Sequence, residues 1–227
     1  MTLPEHVGII IDGNRRWAQS RNKHPWDGHK VGGEALGRIL EHADKKGIKN
    51  ITIYIWSLKN NAGRSAEEKK QIFKLILKWI KDLLKESKKR KTRIRFLGRW
   101  EEATEIKKEL EKTMEQTKNY TEKNLNFCFM YDGQAEIIDA CNKAMKEGLE
   151  GITIETFKEH LYTKDLPPLD LIIRTGMEDG CRLSGFMLWD ASYAELIFHN
   201  TLWPDYSKEQ LNEDLEEFSK RNRRFGK

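Results

Sequence analysis

The chain is predicted to be an α/β protein, a single domain spanning residues 1–227 and built on a parallel sheet. Three observations predict this. Apolar runs of strand length, rich in β-branched residues, alternate with longer segments whose apolar residues recur at helical spacing. The first two runs are separated by a helical segment, and handedness and spacing rules make such a strand–helix–strand unit parallel. No repeat, low-complexity tract or composition shift marks a second domain.

The opening stretch carries the first chemistry. Residues 7–11 form an apolar, mostly β-branched run, read as a buried strand, and the chain then changes abruptly to Asp12-Gly13-Asn14-Arg15-Arg16. In open α/β sheets ligands bind just past the carboxyl ends of strands. Asp12 can hold a divalent cation, Gly13 allows close approach of backbone to ligand, and Asn14, Arg15 and Arg16 suit phosphate oxygens. The same residues also make ordinary turn chemistry.

Residues 17–30 read as polar and irregular, with Pro25 and Gly28 as breakers, followed by a helix over 31–46 that Gly47 ends. A second strand covers 48–56. Its carboxyl end meets Ser57-Leu58-Lys59-Asn60-Asn61-Ala62-Gly63-Arg64, and Ser65 with Glu68 reads as a capping box. Residues 67–88 form a long amphipathic helix whose apolar face includes Phe73, Trp79 and Leu83. Such a face is ordinary core, or the wall of a cavity for a hydrocarbon. A third strand (92–97), a charged helix (101–120), a fourth strand (124–130) and a helix ending at Met145 follow. After a linker at 148–151 come a short helix (154–161), a breaker at Pro167-Pro168, and a fifth strand (169–173) stopping at Arg174-Thr175-Gly176. Glu195 heads the apolar segment 194–198, which reads as an edge strand, and the last helix covers 207–221 before a basic tail.

Composition narrows the function classes. Of 227 residues, 34% are charged and the formal net charge is +5, a mildly basic balance that suits anionic ligands or peripheral contact with an anionic membrane surface. Nucleic acid is not an expected partner. Three cysteines, without paired metal-ligand spacing, suit a reducing cytoplasmic setting. No apolar run approaches the roughly 20 residues of a membrane span, and the first residues lack the features of a signal peptide. Parallel strands would bring 12–16, 57–64 and Arg174 with the loop to Ser184 to one sheet edge, where together they describe a polyanion site. A Walker loop and a dinucleotide-type glycine motif are absent.

These residues also carry a family resemblance. The block from His6 through Asp12-Gly13-Asn14-Arg15-Arg16-Trp17-Ala18, then Gly28-His29-Lys30, Ile173-Arg174-Thr175-Gly176, Arg182-Leu183-Ser184, Tyr193-Ala194-Glu195-Leu196, Leu202-Trp203-Pro204-Asp205 and Arg223-Arg224-Phe225-Gly226 resemble, in order and spacing, the cis-prenyltransferases, the family of undecaprenyl diphosphate synthase. The resemblance spans nearly the whole chain. It implies a central, mostly parallel six-stranded sheet flanked by helices, a hydrophobic tunnel and a homodimer. It also implies the Mg2+-dependent condensation of an allylic diphosphate with isopentenyl diphosphate to a cis-prenyl diphosphate. By resemblance, Asp12 binds Mg2+ and the allylic diphosphate, with Gly13, Asn14, Arg15, Arg16, Trp17 and His29 around it. Ser57, Arg64, Arg174, Arg182, Leu183 and Ser184 fall in the substrate sites, Glu195 matches a second metal ligand from the dimer partner's side, and Arg224-Phe225-Gly226 a motif reaching across the dimer.

The departures from the family pattern cluster. The family's Ser-x-Glu-Asn-aromatic-x-Arg is here one residue longer, with no Glu and no aromatic, so either Asn60 or Asn61 matches the Asn that helps proton removal. Counting back from Arg64 favours Asn61 and counting forward from Ser57 favours Asn60. Pro25 stands where the family has an Arg, the loop Met177 to Gly185 is lengthened, and Asp132 and Gln134 replace a Gly and an Arg. Two alternatives follow: head-to-middle coupling of two allylic diphosphates such as dimethylallyl diphosphate, as lavandulyl-type synthases perform, and a non-catalytic partner subunit.

Overall fold

The computed structural model describes residues 2–221, so the motif Arg224-Phe225-Gly226 lies outside the described residues. The elements run β1 (His6–Ile10), α1 (Asn14–Gln19), α2 (Pro25–Lys46), β2 (Asn50–Ser57), α3 (Leu58–Gly63), α4 (Ala66–Arg90), β3 (Thr92–Leu97), α5 (Lys107–Thr117), β4 (Lys123–Tyr131), α6 (Gly133–Lys146), α7 (Ile154–Lys158), β5 (Leu171–Arg174), β6 (Glu195–Phe198) and α8 (Lys208–Lys220). Single 3-10 turns stand at Trp100–Glu102 and Trp203–Asp205.

The six strands form one sheet in the order β3-β4-β2-β1-β5-β6. Every pair is parallel, the edge strand β6 included. Alternate residues of each strand feed two different cores, as the two-residue period requires. Ile9, Ile53, Phe127 and Ile173 pack on one face beneath α2, α4 and α8, while Ile10, Tyr54, Cys128 and Ile172 pack on the other with Phe186 and Met187. Among the described residues no helix is long and apolar enough to cross a membrane. The three cysteines are free, Cys128 buried, Cys141 part-buried and Cys181 exposed.

Three stretches differ from the sequence expectation. Residues 17–30 are not irregular: Trp17 lies in α1, and α2 begins at Pro25 rather than at residue 31. A proline has no N–H to give, but the first position of a helix needs none, so Pro25 starts the helix instead of breaking it. Asp27 accepts the His24 amide at 3.1 Å across that first turn. The expected helix over 101–120 is interrupted, because Ala103 and Ile106 take non-helical angles, and both side chains are buried in the core. Finally, Ser65 and Glu68 make only half of a capping box, with Ser65 Oγ accepting from the Glu68 amide at 3.2 Å, while the Glu68 carboxylate serves Arg64. The reciprocal box stands eight residues earlier, where Ser57 Oγ accepts the Asn60 amide at 2.9 Å and Asn60 Oδ1 accepts the Ser57 amide at 3.3 Å.

Candidate functional site

The strand register decides which polar residues meet. Ile10 of β1 pairs with Tyr54 of β2 on one side and Arg174 of β5 on the other, so all three strands deliver their next residues to one edge. From β1 the chain crosses to β2, whereas from β5 it crosses to β6 in the opposite direction. The reversal opens a crevice between β1 and β5, where neither crossover covers the strand ends. Asp12 and Arg174 face each other there.

The turn after β1 is shaped by backbone contacts. Thr175 Oγ1 and the Trp203 amide donate to the Asp12 carbonyl at 2.8 and 2.9 Å, fixing the chain as it leaves the sheet. Gly13 then takes φ of 104°, a left-handed angle costly for any residue with a Cβ, and a Cβ there would also sit 3.0 Å from the Leu202 backbone. Asp12 is thereby held with Oδ1 accepting the Gly13 amide at 2.7 Å and Oδ2 accepting Arg174 Nη2 at 2.9 Å. Arg174 is buried, and its other arm donates to Ser184 Oγ at 2.8 Å and to the Arg182 carbonyl at 2.6 Å. Arg16 approaches Asp12 Oδ1 at 3.5 Å and donates to the Gly176 carbonyl at 2.5 Å, tying α1 to the loop after β5.

These groups line a cavity of about 500 Å3. Among the described residues, the charged ones on its wall are Asp12, Arg15, Arg16, Lys59, Arg64 and Arg174, one carboxylate among five cations. Such a field favours a ligand with several negative charges. His29 also lines it. Burial, with Arg64 and Arg15 nearby, pushes the imidazole down to about 3, so His29 is neutral at physiological pH and accepts from Arg64 Nη1 across 3.0 Å. Arg64 is itself placed by Glu68 at 3.3 Å and by stacking 4.6 Å over the Trp56 ring. Three buried polar atoms on lining residues, Asn14 Oδ1, Trp56 Nε1 and Arg174 Nε, have no protein partner. Unmet bonding capacity of that kind is what an occupant or ordered water would satisfy.

Of the residues singled out in the sequence, Asp12, Gly13, Asn14, Arg15, Arg16, His29, Ser57, Asn60, Arg64, Arg174 and Ser184 line this cavity. The others do not. Asn61 is off the wall, because the cap made by Ser57 and Asn60 turns residue 60 toward it. Trp17 is buried behind α1, donating to Asp205 Oδ1 at 2.7 Å, a tether between α1 and the Trp203–Asp205 turn. Arg182 turns away to donate to the Asp179 carbonyl at 2.8 Å, and Leu183 packs against the second core. Glu195 starts β6 and pairs with Arg221 at 2.8 Å. Sequence reading missed Ile10, Ile11, Tyr54, Ile55 and Trp56 as wall residues, while Lys59 and Gly63 fall within the stretch 57–64 that it brought to this edge. The apolar ones were counted as strand core, and β-strand alternation could have flagged half of them.

The family model described as "Putative undecaprenyl diphosphate synthase" matches residues 10–226. An isoprenyl transferase of Fusobacterium nucleatum is 40% identical over 99% of this chain and 96% of its own length. A tritrans,polycis-undecaprenyl-diphosphate synthase (geranylgeranyl-diphosphate specific) of Methanopyrus kandleri is 38% identical over 99% of this chain and 85% of its own. Among solved structures, lavandulyl diphosphate synthase from Lavandula x intermedia, in complex with dimethylallyl diphosphate, superposes with a TM-score of 0.91 at 27% identity, covering 99% of both chains. A probable undecaprenyl diphosphate synthase from Campylobacter jejuni gives 0.82 at 27% identity over the whole of both chains.

Proposed function

This chain belongs to the prenyltransferase family of undecaprenyl diphosphate synthase, and from that premise we propose that its crevice binds an allylic diphosphate beside isopentenyl diphosphate and joins them into a cis-prenyl diphosphate. The chain is a prenyltransferase. The observation that carries the assignment of substrates to residues is the meeting of Asp12 with Arg174 at 2.9 Å in a cavity whose other charged wall groups are cations. Asp12, Gly13, Asn14, Arg15, Arg16 and His29 hold the allylic diphosphate. Arg174, Ser184 and, on a rearranged loop, Arg182 hold the second diphosphate.

In the reaction the allylic C–O bond breaks, its electron pair leaves with the diphosphate, and the double bond of isopentenyl diphosphate supplies the electrons of the new C–C bond before a proton is lost from the acceptor. Positive charge develops on the allylic carbon and negative charge on the leaving group. Arg16 and Arg64, already oriented by the Gly176 carbonyl and by Glu68, meet that negative charge without reorganising. Neutral His29 adds a hydrogen-bonding group and no further positive charge. Asn60, not Asn61, is the residue we assign to the proton-removal loop, since it lines the cavity and is fixed by Ser57.

Asp12 also suits a metal ion. Among the described residues it is the single carboxylate on the wall, with its side chain 39% exposed, and Mg2+ characteristically takes one or two carboxylates and completes its shell with water and substrate phosphate. When bound, Mg2+ would neutralise charge on the departing diphosphate. A second reading, head-to-middle coupling of two allylic diphosphates, draws on the likeness to lavandulyl diphosphate synthase and on Arg182 turning out of the cavity. Incubation with Mg2+ and dimethylallyl diphosphate, with and without isopentenyl diphosphate, separates the two, with dephosphorylated products analysed by mass spectrometry and NMR. Product only when isopentenyl diphosphate is present is the expected result, lost in Asn60→Ala and kept in Asn61→Ala; product from dimethylallyl diphosphate alone supports the second reading, and no product from any pair a non-catalytic partner role.

We assign Glu195 to the metal only across a homodimer, because it does not line its own chain's cavity. Exposed Ile138 and Met145 on α6 and Ile154 on α7 supply apolar surface for a second copy. Mixing inactive Asp12→Ala and Glu195→Ala chains tests both ideas, since a shared site regains up to half the wild-type activity in mixed dimers. No recovery, from chains shown to exchange, removes Glu195 from the site.

A further inference from the structure

The end of β4 carries a carboxylate that the reaction described above does not use. Strand β4 stops at Tyr131, paired with Ser57 of β2, so Asp132 emerges at the same sheet edge as the cavity. It is not on the wall. Its Oδ1 caps α6 by accepting the Gln134 amide at 2.9 Å, whereas Oδ2 takes no hydrogen bond and no cation pairs with it among the described residues. The other acids around the site have their cations: Asp12 has Arg174, Glu68 has Arg64 and Glu195 has Arg221. The charge of Asp132 is left uncompensated.

That charge sits beside Ser184. The Gly133 amide donates to the Gly185 carbonyl at 2.7 Å, which ties the start of α6 to the loop that carries Ser184. A Cβ built on Gly185 would lie 3.0 Å from Asp132 Oδ2, so the carboxylate rests against the residue next to Ser184. Ser184 Oγ in turn accepts Arg174 Nη1 at 2.8 Å. The wall residue Tyr54 shares this corner, its hydroxyl donating to the Tyr131 carbonyl at 3.1 Å and its ring stacked on Phe186 with centroids 5.3 Å apart. Burial above all, and then the Cys128 and Asp132 charges, push the Tyr54 hydroxyl above its usual range. The phenol is neutral, so it does not offset Asp132. Like charges repel, and salt damps the repulsion only over a distance of about 8 Å at physiological ionic strength.

We propose that Asp132 weakens the hold of the second diphosphate subsite, at Arg174 and Ser184, and so drives the new product's diphosphate off it toward the allylic subsite at Asp12 and Arg16. The proposal rests on the prenyl-transfer reading. In each condensation the allylic diphosphate departs and the acceptor keeps its own, so the product is left with its diphosphate on Arg174 and Ser184. A further round, or release, needs that group to leave. Asp132 repels it there and, lying against Gly185 rather than against the turn after β1, repels it less at the allylic subsite. Off the wall, its carboxylate acts through its field and touches no reacting atom.

Asp132→Asn and Asp132→Ser both keep an oxygen that caps α6 and both remove the charge. Each is expected to lower the KM for isopentenyl diphosphate by about three- to tenfold and to leave the KM for the allylic diphosphate within about twofold. Steady-state kcat falls by about threefold or more while single-turnover condensation keeps its rate, a split that a merely structural lesion, which raises KM, does not give. Raising the salt from about 0.05 to 0.5 M shrinks the gain in KM by about half or more, because screening acts on charge alone. An unchanged KM for isopentenyl diphosphate, an equal fall for both substrates, a gain indifferent to salt, or an undiminished kcat overturns the proposal. Equilibrium binding of isopentenyl diphosphate to protein saturated with an unreactive thio-analogue of dimethylallyl diphosphate is measured in parallel and needs no turnover. Unchanged affinity in both variants overturns the role of Asp132 even if no chain turns over, whereas absent turnover with raised affinity counts against prenyl transfer alone.

Discussion

Asp12→Ala lowers turnover by about two to three orders of magnitude, the cost of removing one preorganised group that stabilises developing charge. The fold survives. The Asp12 side chain is 39% exposed, and Arg174, although buried, keeps its bonds to Ser184 and the Arg182 carbonyl. What is lost is threefold: the carboxylate we assign to the metal, the partner that aims Arg174 Nη2, and the acceptor that holds the Gly13 amide. Asp12→Asn keeps a carbonyl oxygen for Gly13 but not the charge, and it is expected to fall by a similar factor. The check is a steady-state rate with saturating Mg2+ beside a thermal melt. Activity within tenfold of wild type, in a protein melting within a few degrees of it, would remove Asp12 from the chemistry.

Gly28→Ala has the largest expected effect on stability. A Cβ at residue 28 would lie 1.9 Å from the Asn14 carbonyl oxygen and 2.8 Å from its carbon, both backbone atoms that cannot rotate aside. The added methyl can be accommodated only by separating α2 from α1. Overpacking of this kind costs about 3 kcal/mol, and in a chain of this size that corresponds to a fall in melting temperature of roughly 6 to 12 °C. Because Asn14 begins α1 and lines the cavity, the same displacement moves Arg15 and Arg16, so diphosphate affinity falls with stability. A variant that melts like wild type would show that α1 and α2 are less closely seated than these distances indicate. Gly37, on the same helix, meets nothing within 4 Å, so Gly37→Ala serves as a control that changes helix propensity without the clash.

Most of the sheet and half of the site were legible in the sequence for a definite reason. A parallel strand buried on both faces is written as a continuous apolar run, and the polar residue that ends it marks the sheet edge. That logic located Asp12 to Arg16 and Arg174 without any knowledge of strand order. It failed at residues 17–30, where Pro25 and Gly28 carry opposite meanings from the usual ones: Pro25 opens α2, and Gly28 is small so that α1 can pack on it. The role of Pro25 is local, a proline opening a helix with Asp27 capping its first turn, whereas that of Gly28 depends on what packs across it.

Sequence alone therefore determined the α/β class, the parallel strands and the residue types that gather at their carboxyl ends, because hydrophobic period and strand-end chemistry are local properties of the chain. Tertiary structure decided the rest. Strand order 3-4-2-1-5-6 opens the crevice between β1 and β5, the cap at Ser57 goes with Asn60 rather than Asn61 on the cavity wall, and the loop after β5 turns Arg182 outward while leaving Ser184 on Arg174. The Trp79 indole fills the space that a Cβ on Gly33 would take, and so joins residues 46 positions apart. Contacts of this kind arise from the packing of whole helices against one sheet, and no spacing along the chain encodes them.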